Sequence, residues 1–171
     1  SSKYVTLGLF VAIVISTIGY AWYSGWTKQR NREFKKHLDA ATEQLKHDSY
    51  DSYKKACEAA DKALEVFPDS VLAHGYLAYA WAIRWGEHGG GDDARRKAED
   101  DLKQAQEVAE SSKEESSHLY AAEALVKTYG GKGTDALGEL EKRVKDFEAQ
   151  GRASSLLNLT LGLAQMNAGD L

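Results

Sequence analysis

The residues best suited to metal or phosphate chemistry lie in one short polar stretch, GEHGGGDD, at positions 86–93. Its carboxylates and imidazole are ligand types that divalent cations use: Glu87, His88, Asp92 and Asp93. Its glycine run also invites comparison with loops that cradle phosphate, but neither lysine nor a hydroxyl residue follows it. A metal site needs fixed ligands and supporting hydrogen bonds, which a glycine-rich turn does not supply. We therefore interpret the stretch as a solvated turn.

The single cysteine, Cys57, is the only thiol nucleophile of the chain. It lies among alanines in a helical pattern, where a cysteine behaves as a small core residue. One thiol forms neither a disulfide framework nor a cysteine zinc site. No pairing of histidine with serine or cysteine can be assembled at helical spacing. We therefore predict no catalytic residue, no cofactor, no metal and no small-molecule substrate, and hence no enzyme activity.

Composition limits the class of protein. The 171 residues allow one domain with an appendage, and the many alanines with only one proline favour helices. The 22 basic and 26 acidic residues give a net charge of -4. Nucleic-acid binding over a broad surface requires a net basic face, so we exclude nucleic acid as a partner.

The appendage is an N-terminal segment, residues 4–27, in which 24 residues carry no charge. A helix of this length spans the roughly 30 Å hydrocarbon core of a bilayer. A cleaved signal peptide is shorter and ends in small residues, whereas this segment ends in bulky aromatic ones. We predict a single transmembrane helix. Its expected anchors at the membrane interface are Tyr20, Trp22, Tyr23, Trp26, Lys28 and Arg30.

A basic juxtamembrane segment, residues 28–36, follows the predicted span and carries five basic residues against Glu33. On the other side of the span only Lys3 is visible. Because positive flanks stay in the cytoplasm, the rest of the chain is predicted to be cytoplasmic. The rule compares both flanks, so the periplasm or another compartment remains an alternative.

The remaining chain, residues 37–171, has a helical pattern with a period of 42 residues. Five positions stay small or apolar in three copies. The aligned sets are Ala56, Ala98 and Leu140; Ala60, Leu102 and Val144; Ala63, Ala105 and Phe147; Leu77, Leu119 and Leu161; and Ala80, Ala122 and Ala164. Their spacing places three positions on one helix and two on the next. Each copy is therefore a pair of antiparallel helices, and stacked pairs bury a continuous core.

The stretch around the only proline resembles the tetratricopeptide repeat family. The first-helix pattern of that family is matched by Ala73, Leu77, Ala80 and Trp81. The second helix and its terminating proline are matched by Ala56, Ala60, Ala63, Leu64 and Pro68. Residues 161–170 resemble the start of a further repeat. Because the family period is about 34 residues, we expect the surplus at the glycine-rich turns, residues 86–93 and 130–135.

The resemblance implies an all-α fold, a right-handed solenoid of stacked helix pairs behind the membrane helix. First helices line the inner binding face in this family, which implies a partner-binding groove at Leu72, Gly75, Tyr79 and Ile83. An apolar groove with a tyrosine suits a helix or an extended peptide. The alternative is that Tyr79 packs against the next helix pair. The stack ends in the turn after a first helix, so we expect further sequence or a partner to cover the exposed apolar face.

The function indicated by these features is protein–protein interaction, as a scaffold or accessory subunit within a membrane complex. The partners would be the other proteins of that complex and the lipid bilayer. One alternative is a receptor or chaperone-like factor that captures client segments beside a membrane translocation machine. A second alternative is a sensor or docking arm of an enzyme whose catalytic domain lies outside this sequence.

Overall fold

A computed structural model describes the backbone of residues 2–169 and the side chains of residues 16, 17 and 19–169. Within this part of the chain there are seven α-helices and no strand, which confirms the predicted all-α class. The helices are α1 (Ser2–Leu45), α2 (Tyr50–Val66), α3 (Val71–Gly86), α4 (Gly91–Ser112), α5 (Ser117–Tyr129), α6 (Gly133–Ala149) and α7 (Ser155–Ala168).

A proline and a serine separate α2 from α3, and we call this connection the proline seam. α2 stops at Val66, because Pro68 cannot continue a helix and disfavours helical geometry in the residue before it. Ser70 then caps α3, since its side-chain oxygen accepts a hydrogen bond from the Ala73 N–H at 3.2 Å. The proline therefore separates two helices, as the sequence predicts.

The helices pack in the order of the chain. α1 packs on α2, α3 on α4 and α5 on α6, while α3, α5 and α7 pack on one another in series. The connections are three to five residues long, which makes successive helices antiparallel neighbours. α7 has no second helix of its own within the described residues. The arrangement is a row of three helix pairs followed by one lone helix.

The positions of the 42-residue period form the core of this row. Thirteen of the fifteen aligned side chains are buried, and the other two, Val144 and Leu161, are partly buried. They lie on α2, α4 and α6 at the first three positions and on α3, α5 and α7 at the last two. One 42-residue period therefore contains the second helix of one pair and the first helix of the next pair.

The extra length of each repeat lies in the second helices rather than in the turns. α4 has 22 residues, whereas α3 has 16, and the connection between them is only residues 87–90. That connection is closed by hydrogen bonds from the Glu87 N–H to the Ile83 carbonyl and from the Gly90 N–H to the Arg84 carbonyl, both 2.8 Å. The predicted elongated turn over residues 86–93 is thus wrong, because half of the stretch, residues 86 and 91–93, is helical.

The backbone of α1 is one helix through the predicted span, the basic segment and the start of the repeat region. Among the side chains that the structure describes, no helix contains a stretch long and apolar enough to cross a membrane. The predicted span, residues 4–27, falls largely outside them, because the side chains of residues 4–15 and 18 are not described.

The α3–α5 contact depends on a glycine, which gives a test of the packing. A Cβ atom at Gly75 would lie 3.1 Å from the Leu119 backbone nitrogen and 3.4 Å from the His118 Cβ. We expect Gly75→Ala to lower the free energy of unfolding by about 1–3 kcal/mol, because α5 must move away. The measurement is urea denaturation of the full chain, followed by circular dichroism.

The matched control is Gly138→Ala, in the middle of α6, where a Cβ atom would meet nothing within 4 Å. This change is expected to raise stability by up to about 1 kcal/mol, because alanine favours the helix. If both substitutions stabilise the chain equally, α3 and α5 do not approach closely at Gly75.

Candidate interaction surfaces

The groove predicted on α3 is closed by the chain itself. Of its four residues only Leu72 is exposed, at 36%, whereas Tyr79 and Ile83 are 4% and 2% exposed and Gly75 is buried. α5 covers this face: the His118 ring lies edge-on to Tyr79 with ring centroids 6.0 Å apart. The groove prediction therefore fails at three positions, because the next first helix occupies the face that a partner would need. Tyr79 follows the alternative reading, packing against the next helix pair.

A cluster of tyrosine hydroxyls lies at the end of the stack opposite the proline seam. The Tyr129 hydroxyl donates a hydrogen bond to Glu87 Oε1 at 2.6 Å. Burial raises the pKa of Tyr79 to about 12, and it also raises the pKa of Tyr53, with a smaller contribution from Tyr79. These hydroxyls stay protonated at neutral pH and act as hydrogen-bonding groups within the core.

The four candidate metal ligands of residues 86–93 make separate interactions within the chain. His88 Nε2 lies 3.3 Å from Asp48 Oδ1, and Glu87 accepts the hydrogen bond from Tyr129. Asp92 and Asp93 lie in the first turn of α4, where carboxylates interact favourably with the helix dipole. In the part of the chain described, no group of three or more candidate ligands is arranged to hold a metal ion.

Cys57 is a core residue with an unreactive environment. It is 3% exposed, and burial raises the pKa of its thiol to about 12, although the nearby Arg84 opposes the shift. Little thiolate therefore exists at neutral pH. The structure places the thiol where the alanine-rich sequence pattern predicts it.

A cation–π cluster joins three helices near Cys57, and no motif in the sequence indicates it. The Arg84 guanidinium, 7% exposed, lies 4.1 Å from the centre of the Trp81 ring and 4.6 Å from that of Tyr50. It also donates a hydrogen bond to the Tyr50 hydroxyl at 2.8 Å. Lys97 Nζ lies 4.4 Å from the Trp81 ring. The cluster holds α2, α3 and α4 together through contacts that no spacing in the sequence indicates.

Arg30 attaches α1 to the proline seam. Its guanidinium lies between the rings of Trp26 and Phe67, 4.8 and 4.7 Å from their centres. It also donates a hydrogen bond to the Val66 carbonyl at the C-terminal end of α2. Phe34 packs edge-on against Phe67, with ring centroids 4.9 Å apart. We call these five residues the seam clamp; it gives Arg30 a partner within the chain.

Aromatic side chains lie exposed on α1 just before the seam clamp. The exposed fractions of Tyr20, Trp22, Tyr23 and Trp26 are 75%, 78%, 61% and 49%. Lys28 is also exposed. The Tyr23 ring lies 6.5 Å from the Trp26 ring, and Tyr20, Trp22 and Tyr23 all stay mostly exposed. We call these three residues the aromatic patch.

A cleft of about 680 Å³ lies at the end of the stack that carries the proline seam. It is lined by the starts of α3, α5 and α7, including Leu72, Ser116 and Leu156. Its rim carries Glu115, whose carboxylate pairs with Arg152 at 3.0 Å. Glu114 also lines the cleft, so its lining carries two carboxylates and one guanidinium.

The outer face of α7 is apolar and open. Leu159 and Met166 are 59% and 55% exposed, and Leu156 and Leu163 are partly exposed. The four side chains fall at i, i+3, i+7 and i+10, which is one face of a helix. The sequence predicts an exposed apolar face at this end of the row, but the residues of that face are identified only in the structure. The sequence could have identified these four residues, because they recur at helical spacing within an uncharged segment, residues 155–168.

Comparison with known protein families, curated proteins and solved structures finds no match to this chain. The likeness to tetratricopeptide repeats therefore depends on the residues already named and stays a prediction.

The burial of Tyr79 gives a direct test of the closed groove. We expect Tyr79→Ala to lower the free energy of unfolding by about 3 kcal/mol or more, because it leaves a cavity between α3 and α5. Leu72→Ala, at the most exposed position of the predicted groove, should lower it by only about 1 kcal/mol, because this side chain is partly covered. Chemical denaturation measures both. Similar small effects for the two variants would show that the groove is open.

Two partly buried titratable groups predict opposing effects of pH on stability. Burial lowers the pKa of His118 from 6.5 to about 4, so below pH 6.5 the unfolded chain binds more protons and stability falls with acidification. Burial and the neighbouring Asp61 raise the pKa of Asp101 from 3.8 to about 7. Between pH 3.8 and about 7 the folded chain therefore binds more protons at Asp101 than the unfolded chain does. Stability falls as pH rises through this range.

The measurement is the free energy of unfolding at pH 4.5 and pH 6.5. Relative to the natural chain, His118→Gln should make stability fall more, or rise less, between these two pH values. Asp101→Asn should make stability rise more, or fall less, between the same two pH values. A fully shifted group contributes about 1.4 kcal/mol per pH unit, and Asp101 contributes less because it is partly exposed. If both substitutions changed the pH dependence of stability in the same direction, the opposing pKa shifts of His118 and Asp101 would be contradicted.

Proposed function

We propose that this chain is a membrane-anchored scaffold or accessory subunit that mediates protein–protein interaction within a membrane complex. In this proposal residues 4–27 cross the bilayer once, and the helix pairs form a solenoid like that of tetratricopeptide repeats. The basic residues after the span favour a cytoplasmic location for the stack. The observation that carries the proposal is the aromatic patch on α1, directly before the seam clamp.

Tryptophan and tyrosine side chains prefer the headgroup region of a bilayer, where their rings are half in contact with water. Exposure of Tyr20, Trp22 and Tyr23 on a soluble surface is unfavourable, whereas a bilayer surface covers them. The uncharged segment lies on the N-terminal side of the patch and the basic residues lie on the other side, which is the order that an interface requires.

The seam clamp would connect the membrane-spanning part of α1 rigidly to the stack. Trp26 and Arg30 are four residues apart on one helix, about 6 Å along its axis. The stack therefore begins within one helical turn of the aromatic patch, with no flexible linker between them. A rigid connection holds the stack at one height and orientation above the membrane. This suits a subunit with a fixed place in a complex.

The receptor alternative has less support, because the α3 face that would take a client segment is buried under α5. The enzyme docking-arm alternative requires a catalytic domain outside this sequence. We therefore retain the scaffold as the proposed function.

Membrane fractionation with hydrogen exchange tests this proposal. The full chain should stay in the membrane after an alkaline carbonate wash, and removal of residues 2–27 should release it. Arg30→Gln should keep the chain in the membrane, but hydrogen exchange at residues 28–45 should become faster because the seam clamp is lost. Arg32→Gln, an exposed neighbour, is the matched control and should change neither result.

The scaffold role has its own readout. After mild detergent extraction, a subunit should co-purify with partners in fixed stoichiometry, whereas a receptor would be recovered mostly free with varied clients. A full chain that washes off the membrane would refute the anchor. A chain recovered without stoichiometric partners would refute the scaffold role.

A further inference from the structure

We infer that one end of the stack is a membrane-facing surface, so that the row of helix pairs lies along the bilayer instead of pointing away from it. This end, which we call the seam end, consists of the connections at residues 67–70, 113–116 and 150–154. The inference rests on the proposed function, because it requires that residues 4–27 cross the bilayer. It holds for either side of the membrane, and it names the surface of the scaffold that would contact lipid headgroups.

The first argument is the alternation of helix direction along the chain. α1 runs away from the predicted span, and each following helix is antiparallel to the one before it. α2, α4 and α6 therefore run back toward the level of the span and end at the seam end. The connections at residues 46–49, 87–90 and 130–132 lie at the opposite end, which we call the far end. Because α3 has 16 residues, the two ends are about 24 Å apart.

The second argument is the contact between α1 and the seam end. Phe34 and the residues of the proline seam line a cleft of about 400 Å³, and Glu114 of the next connection lines the same cleft. The connection at residues 113–116 therefore lies near the level of Phe34 on α1. Phe34 is 11 residues beyond Tyr23 of the aromatic patch, which is about 16 Å along a helix. Two of the three connections at the seam end are thus held at a short distance from the patch.

The third argument is the direction in which the row extends. α3, α5 and α7 pack side by side, so the row grows at right angles to the helix axes. The starts of these three helices line one cleft of about 680 Å³, which keeps them at the same end. A membrane helix is tilted from the bilayer normal by about 20° on average, so a row attached rigidly to α1 stays close to the membrane plane. Partner proteins would then approach the stack from its sides or from the far end.

The charged side chains of the seam end suit zwitterionic headgroups, which carry a phosphate and a cation. Lys113 is exposed and can contact phosphate. Asp69, Glu114 and Glu115 are exposed carboxylates, which can contact the headgroup cation. An anionic surface would not attract an end with this excess of carboxylates. The geometry of α1, rather than net charge, would therefore bring this end to the bilayer.

Lys113 has a backbone conformation that favours glycine. Its φ is 59°, and within residues 2–169 it is the only residue other than glycine with a positive φ. The equivalent residue at the end of α7 is Gly169, with φ 75°. A side chain with a Cβ atom is unfavourable in this region of φ. The chain therefore keeps a cation at the seam end where glycine would be less strained.

The experiment places a fluorescent label at either end of the stack in full chains reconstituted into phosphatidylcholine nanodiscs. The seam-end variants are Lys113→Cys and Ala153→Cys, and the far-end variants are His47→Cys and Lys132→Cys. All four positions are exposed, whereas the native Cys57 is buried and should stay unlabelled. A lipid with a nitroxide on its headgroup quenches labels near the membrane surface. We expect quenching about threefold or more stronger at the seam end, because the far end lies about 24 Å further from the headgroups.

The unaltered chain provides a second measurement, without any substitution. A water-soluble acetylating reagent should modify Lys113 more slowly in nanodiscs than in detergent, because headgroups cover this lysine only in the bilayer. The matched control is Lys132, an exposed lysine at the far end, whose rate should be the same in both. Equal rates for Lys113 in the two conditions would contradict the headgroup contact.

The arrangement that competes with this inference is a bend in α1 between the aromatic patch and the seam clamp. Such a bend would turn the stack away from the bilayer. Equal quenching at both ends, or stronger quenching at the far end, would show it and overturn the inference. Circular dichroism should show the same helix content in all four variants, because the substituted side chains are exposed.

Membrane retention separates this inference from the proposed function. The carbonate wash is carried out on membranes that contain the unaltered chain or one of the four variants. Retention with equal quenching at both ends refutes the membrane-facing surface alone. Loss of the unaltered chain in the wash refutes the proposed function and, with it, the inference.

Discussion

The close approach of α3 and α5 at Gly75 is the contact on which the rest of the stack depends. α3 packs against α2, α4 and α5, so its position sets where each neighbouring pair lies. The missing side chain at Gly75 lets the start of α5 come within van der Waals distance. His118 can then pack on Tyr76 and Tyr79. This contact buries the inner face of α3, including Tyr79.

The two ends of the row differ in what they present. At one end the seam clamp joins α1 to α2, and a cation between two aromatic rings fixes the angle at which the long helix leaves the stack. At the other end α7 exposes leucine and methionine side chains that have buried equivalents in α3 and α5. In the proposed function the first end would hold the stack at the membrane.

The repeat positions show how far the sequence can predict this fold. Ala56, Leu77 and Ala80 are buried as their period indicates, and Pro68 and Ser70 end and begin helices by local rules. The predicted groove failed because helical periodicity identifies a face without identifying what covers it. Tyr79 is compatible with a groove or a core, and only the position of α5 distinguishes them. The turn before α4 is also shorter than predicted, because Gly89 and Gly91 adopt positive φ values that let the chain reverse within residues 87–90.

The sequence by itself determined the all-α class, the helix pairs, the seam at the proline and the burial of Cys57. Each of these follows from local backbone preference or from the spacing of apolar residues along one helix. The tertiary structure alone decided the partners of Arg30 and Arg84, the closure of the α3 face and the identity of the open face on α7. Those outcomes depend on contacts between residues far apart in the chain, such as Arg30 with Phe67, which no local pattern encodes.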